Sequence, residues 1–187
     1  MKALVALVLF LVSSAASAKE VAGVKLPDTL TLAPDQAALV LNGAGIRSKF
    51  FIKVYVGALY LSARTTDVAA VLRNTGPVAV HMHFLHSEVS KEKLIDAWND
   101  GFNANLSDTE RAKLNPRIEQ FNALFQTARN GDVIKLDYVP GAGTTITINH
   151  DKRGVVDGED FMQAWLKIWL GEKPADDDLK RGMLGGS

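Results

Sequence analysis

The 187-residue chain contains no cysteine. Disulfides, thiolate metal ligands and thiol nucleophiles are thereby excluded, and stability must come from a packed core. Net charge is also missing: 21 Lys+Arg balance 21 Asp+Glu, so overall charge gives no electrostatic case for nucleic acid as a partner. Beyond residue 18 no apolar run approaches the roughly 20 residues that a membrane helix requires. No internal repeat or low-complexity linker divides the chain. The GxSxG and HExxH motifs are absent. Gly43-Ala44-Gly45 lacks the third glycine of a dinucleotide loop and enters a strand instead of a helix, so it reads as a bulge or a close backbone approach. No cofactor and no metal is expected.

What is present begins with an export pattern. Met1-Lys2 supplies a positive start, Ala3 to Val12 is unbroken and apolar, and Ala16-Ser17-Ala18 fits the small-x-small cleavage rule. The apolar run is too short for a retained anchor. Cleavage after Ala18 leaves 169 of the 187 residues, with Lys+Arg falling from 21 to 20. That length suits one domain, 19–187, with a sizeable core. The expected location is periplasmic or secreted, with no stable membrane insertion once the leader is removed.

Val21 to Leu26 reads as a short first strand. Ala37 to Arg47 and Phe50 to Leu61 read as long strands rich in Val, Ile, Tyr and Phe. A short helix over 66–73 precedes a strand at Val78 to Leu85. Ser90 can cap a helix to about Asn105, and Ser107-Asp108-Thr109-Glu110 is a capping box. The second helix is expected to break before Pro116, with a new one ending at Asn130-Gly131. A hairpin follows over 132–150, then a turn over 149–154 and a short strand at Val155-Val156. Glu159 to Leu170 is apolar on more than one face and should be buried. A last short helix begins near Asp176. Strands in hairpin order with helices clustered between them predict an α+β fold, an antiparallel sheet with helices on one face.

Two groups of residues are candidates for chemistry. His81 and His83 share a strand face, as in half of a metal site. No carboxylate or cysteine completes the site in the local sequence, and the pair reads as a solvent-facing strand edge. Arg47 lies beside much apolar surface, and a half-buried guanidinium demands an acceptor, best a carboxylate or enolate oxygen. A turn over Ser48-Lys49-Phe50 would set Arg47 opposite Phe51. Tyr55 would then share its face about 13 Å along the strand, at roughly 3.3 Å per residue. A turn of two or four residues would send Tyr55 to the other face. An internal salt bridge or a solvated hairpin tip would also account for the arginine.

Leu41-Asn42-Gly43-Ala44-Gly45-Ile46-Arg47 and Lys53-Val54-Tyr55-Val56-Gly57-Ala58-Leu59-Tyr60-Leu61 resemble the chalcone isomerase superfamily, most closely its bacterial chalcone-isomerase-like branch. Gly131-Asp132, Tyr138 to Thr144, and Phe161 through Trp169-Leu170-Gly171 also fit that branch. The resemblance implies an open-faced β-sandwich, a large antiparallel sheet backed by helices with the ligand cleft between them. The superfamily holds isomerases that close chalcones, fatty-acid-binding proteins and relatives without known activity. In the isomerases an arginine at the place of Arg47 stabilises the developing charge. Their threonine, tyrosine, lysine, asparagine and late serine or threonine fall at Tyr55, Ser90, Lys93, Ala97 and Met162, so most of the polar site is lost. In the fatty-acid-binding branch an arginine and a tyrosine hold a carboxylate, and Arg47 and Tyr55 resemble that pair. The implied ligand set is Arg47, Tyr55, Lys93, Ala97 and Met162, for a small amphipathic or aromatic ligand, with a fatty acid favoured. The alternative is an isomerase with Arg47 as electrophilic stabiliser and Tyr55, Ser90 and Lys93 lining the site.

Overall fold

A computed structural model of the chain describes residues 18–34 and 36–186. The expected leader lies outside them except for Ala18. The chain opens with a hairpin of β1 (Ala18–Val21) and β2 (Val24–Pro27), where one strand was expected. Ala22 and Gly23, both with positive φ, turn the chain back on itself. Then come β3 (Thr29–Leu30), β4 (Leu39–Lys49), β5 (Ile52–Leu61), α1 (Val68–Leu72), β6 (Val78–Phe84) and β7 (Glu88–Val89). The helical pair α2 (Lys91–Asn105) and α3 (Asp108–Ala123) follows, then β8 (Ala128–Arg129), β9 (Val133–Val139), β10 (Gly143–Ile148) and β11 (Asp151–Val156). The chain finishes with α4 (Glu159–Leu170) and α5 (Asp177–Met183).

Seven strands make one antiparallel sheet in the order β11-β10-β9-β6-β5-β4-β3. Alternation along each strand sorts its two faces. Val78, Val80, Met82 and Phe84 of β6 join Leu59, Leu61, Ile134 and Leu136 in the core beneath the helices. Ala79 joins Leu41, Ala58 and Tyr60 on the other face, where Leu26 with Val21 and Val24 of the N-terminal hairpin cover them. No helix among the described residues is long and apolar enough to cross a membrane.

The helices bury what their spacing predicts. Leu94, Trp98 and Phe102 of α2 recur every fourth residue and meet Leu114, Ile118 and Phe121 of α3 within one core. α4 is apolar on nearly every side, and both its tryptophans are buried with their N–H groups satisfied. Trp165 Nε1 donates to Thr144 Oγ1 at 3.1 Å, and Trp169 Nε1 donates to the Tyr55 hydroxyl at 2.8 Å. Arg117 of α3 grips Asp160 with both nitrogens, at 2.6 and 3.0 Å, and holds that carboxyl well below the usual carboxylate range.

Three expectations need correction here. Pro116 does not interrupt a helix: α3 runs through it. A proline there removes one backbone bond and costs about 3 kcal/mol, but Leu114, Ile118 and Phe121 anchor the helix to the core on both sides of it. α3 also stops at Ala123, because Leu124 and Phe125 close tight turns onto Phe121 and Asn122 and send the Phe125 ring into the core. Asn130-Gly131 instead turns the chain from β8 into β9. Lastly, the turn expected over 149–154 narrows to Asn149-His150, and β11 takes up Asp151 to Val156.

The capping box at the start of α3 forms as the sequence predicts. Ser107 Oγ accepts from the Glu110 N–H at 3.2 Å, Glu110 Oε2 accepts from the Ser107 N–H at 2.8 Å, and Lys167 Nζ donates to Oε1 at 3.1 Å. The Ser107 backbone bond is the main cause that brings the Glu110 carboxyl down to about 2 from its ordinary 4.5. A carboxyl depressed by folding stabilises above its unfolded value, and that contribution is lost as pH falls towards the folded one. Glu110→Ala should therefore cost about 1 kcal/mol near neutral pH, discounted for its exposure. The deficit should shrink between about pH 4.5 and 2. Urea unfolding of both proteins at neutral pH and at about pH 3 checks this. A penalty independent of pH would assign the effect to something other than the carboxylate.

Candidate functional site

The β4–β5 hairpin sets the site, and its register differs from the expected one. The turn is the pair Phe50-Phe51, at φ of 50° and 65°, so Lys49 faces Ile52 and Ser48 faces Lys53. A plain two-residue turn would put Tyr55 on the face opposite Arg47. A bulge corrects this: β5 carries one extra residue, Val54, and Arg47 then pairs with Tyr55 directly across the strands. The guanidinium carbon lies 5.7 Å from the centre of the Tyr55 ring. The two residues are cross-strand neighbours and not separated along one strand.

A second bulge, at Asn42 of β4, cancels the first. The buried Asn42 side chain donates to the Met183 carbonyl at 2.8 Å and accepts from the Thr65 N–H at 2.8 Å. Beside it the glycines of the motif form a floor for α5. A Cβ on Gly43 would stand 2.3 Å from the Gly182 carbonyl oxygen, and one on Gly45 would stand 3.0 Å from Leu179 Cα. Gly43 and Gly45 thus serve helix packing, by both the bulge and the close approach that the sequence suggested. Asp176 ties the start of α5 to β4, its Oδ2 accepting from the Ser48 N–H at 3.0 Å while Oδ1 caps Leu179.

Between these elements opens a cleft of about 770 Å³. Arg47, Lys49, Ile52 and Val54 form its hairpin wall, and Lys93, Ala97, Gly101 and Ala104 form the wall given by α2. Pro174 and Ala175 close it from the segment before α5, and Val89 from β7. Glu88, Asp96 and Asp100 add carboxylates to the same walls.

Arg47 is half-buried, and its Nε is buried with no hydrogen-bond partner. It forms no ion pair with a carboxylate among the described residues, so the internal salt bridge that would have accounted for it does not form. Beneath it Tyr55 is 1% exposed. Burial pushes the Tyr55 phenol above its ordinary value, against the opposing pull of the Arg47 charge, so it stays neutral near pH 7. Tyr55 is a platform for Arg47 and an acceptor for Trp169, not a wall of the cleft.

Arg47, Lys93 and Ala97 are therefore brought together in one cleft. Ser90 is not on its walls: its Oγ caps α2 by accepting from the Lys93 N–H at 3.3 Å. Met162 also lies elsewhere, fully buried in the core, because α4 turns that position inward between sheet and helices. Ile52, Val54, Ala104, Pro174 and Ala175 were not foreseen as lining residues. The i, i+4, i+8 spacing of Lys93, Ala97 and Gly101 was a readable signal for the α2 wall. Nothing local marks Pro174 and Ala175, which reach the cleft only because α4 and α5 place them there.

The histidines lie on the other face of the sheet, and the edge-strand reading is overturned. β6 is the central strand of seven. His81 is 9% exposed, and its Nε2 lies 2.8 Å from Asp137 Oδ1, a carboxylate supplied by β9 from 56 residues away. Burial first, then the charges of His81 and Lys135, bring His83 down to about 4. No group of three metal-ligating side chains assembles among the described residues.

A family model described as chalcone isomerase-like matches residues 18–185. Among solved structures, a fatty-acid-binding protein of Arabidopsis thaliana superposes with a TM-score of 0.66 at 15% identity, over 87% of this chain and 92% of its own. That likeness shows a shared fold. Comparison with curated proteins finds no match. Since the family match spans every described strand and helix, the chain belongs to the chalcone isomerase-like family.

Proposed function

We propose that the cleft binds a fatty acid or a similar amphipathic carboxylate, with the head group on Arg47 and the chain along Ile52, Val54, Ala97, Ala104 and Pro174. The observation that carries this reading is the half-buried Arg47 with an unpartnered Nε beside an apolar wall. A guanidinium so placed is completed by a planar anion. The cleft volume lies within the usual range for small-ligand sites. The fatty-acid-binding description of the Arabidopsis structure supports the same ligand class. Titration calorimetry of a saturated long-chain fatty acid against wild type and Arg47→Ala tests the proposal, and equal affinities would refute it. Conversion of chalcone to one flavanone enantiomer, lost in Arg47→Ala, would favour the isomerase reading instead.

We also infer export. Cleavage after Ala18 would leave Lys19 to Val21 free to pair with β2. The intact mass of the protein from its native host should correspond to a chain beginning at Lys19. Soluble cytosolic protein that keeps Met1 to Ala18 would contradict the inference.

A further inference from the structure

The tip of the β4–β5 hairpin is the one place among the described residues where large apolar side chains stand exposed: Phe50 at 85%, Phe51 at 104% and Ile52 at 50%. Phe50 and Phe51 both occupy left-handed backbone, which a bulky side chain adopts at a cost. A two-residue hairpin turn with positive φ at both positions favours Asn-Gly. The fold therefore accepts strain at this turn and gains no burial from either ring. The flanking lysines, Lys49 and Lys53, are exposed too. Residues 47–53 hold three basic side chains and no acidic one.

We propose that this tip docks on an anionic lipid surface. Phe50, Phe51 and Ile52 enter the boundary between head groups and acyl chains, while Lys49 and Lys53 keep their charges at head-group level. The shape favours a bilayer over a protein. Three side chains on a projecting turn cover far less area than the roughly 1,000 Å² that a specific protein interface needs, whereas a fluid interface can close around them. Basic residues beside an apolar tip complement an anionic membrane and gain little on a neutral one. Phe50 and Ile52 also border the cleft, so docking would set its mouth against the bilayer. That last step rests on the fatty-acid reading, while the docking itself does not.

The test is co-sedimentation, without added fatty acid, of the protein as isolated, its N-terminus fixed by mass, with vesicles. One set is equimolar phosphatidylglycerol and phosphatidylcholine, the other phosphatidylcholine alone. The wild type should sediment with the anionic vesicles, less with the neutral ones, and less as salt rises. Phe50→Asn/Phe51→Gly should lower partitioning by about tenfold or more while its thermal midpoint holds or rises, since Asn-Gly suits the turn. Lys49→Glu/Lys53→Glu, whose exposed positions leave the fold intact, should lose binding to the anionic vesicles in the same way. Three results would overturn the proposal: no partitioning of the wild type, partitioning of either variant equal to that of the wild type, or a vesicle-free dimer that the Asn-Gly variant dissolves. The last would assign the tip to a second copy of the chain.

Discussion

Gly43→Ala is expected to lower stability by about 2–4 kcal/mol and to loosen α5 from the sheet. A Cβ there would meet the Gly182 oxygen at 2.3 Å, the Gly185 nitrogen at 2.7 Å and the Met183 oxygen at 2.8 Å. All three are backbone atoms, so no side chain can swing aside to relieve the clash. Relief requires α5 to lift, and lifting it strains the Asn42 bond to the Met183 carbonyl. It also frees Asp176 and the adjoining Pro174-Ala175 wall, so the cleft should lose definition with the helix. Gly76 is the control, because a Cβ there would touch only Asn74 Oδ1 at 3.4 Å. Gly76→Ala should stay within about 0.5 kcal/mol of wild type. Urea unfolding gives both values, and hydrogen exchange locates the loosening at 177–183. A Gly43→Ala protein as stable as the control would mean that α5 does not need its glycine seat.

The sheet and the late helix were legible because their signals are local. Val78 to Phe84 alternates as a strand must, and Glu159 to Leu170 is apolar on too many sides to be anything but buried. The site was legible only in part. Arg47 announced itself as a cation in an apolar stretch, whereas Lys93 and Ala97 came only from the family resemblance. The register did not, because it depends on two bulges, at Val54 and Asn42, that carry no one-residue signature. The turn was misplaced because Phe50-Phe51 lacks turn chemistry, so the polar Ser48-Lys49 drew the assignment. The exposure of those rings suggests that the rule was broken for something other than folding. The histidines were misplaced for a different reason. The Asp137 carboxylate becomes a neighbour only through the β6–β9 pairing, which sequence spacing cannot show.

Arg47→Met should move stability and ligand affinity in opposite or unequal directions. Without ligand, the wild-type guanidinium has a buried, unpartnered Nε and no carboxylate. Methionine keeps much of the apolar stem without that desolvation cost, so the unliganded protein should be as stable as wild type or slightly more so. If the cleft binds a long-chain fatty acid as proposed, the variant should lose a charge-assisted bond to the head group, about 1.5–3 kcal/mol. That corresponds to roughly a ten- to hundredfold weaker Kd. The matching fatty alcohol separates head group from chain: its affinity should barely change between the two proteins, because burial of the chain is untouched. Tyr55→Phe should show the reverse pattern. It leaves the Trp169 N–H without its acceptor in a buried site, costing about 1–3 kcal/mol of stability, while affinity for the acid changes less than in Arg47→Met. Thermal unfolding of the unliganded proteins, with calorimetric titration of acid and alcohol, measures all of these. If Arg47→Met destabilises the empty protein and binds acid and alcohol as wild type does, Arg47 belongs to the scaffold and holds no carboxylate.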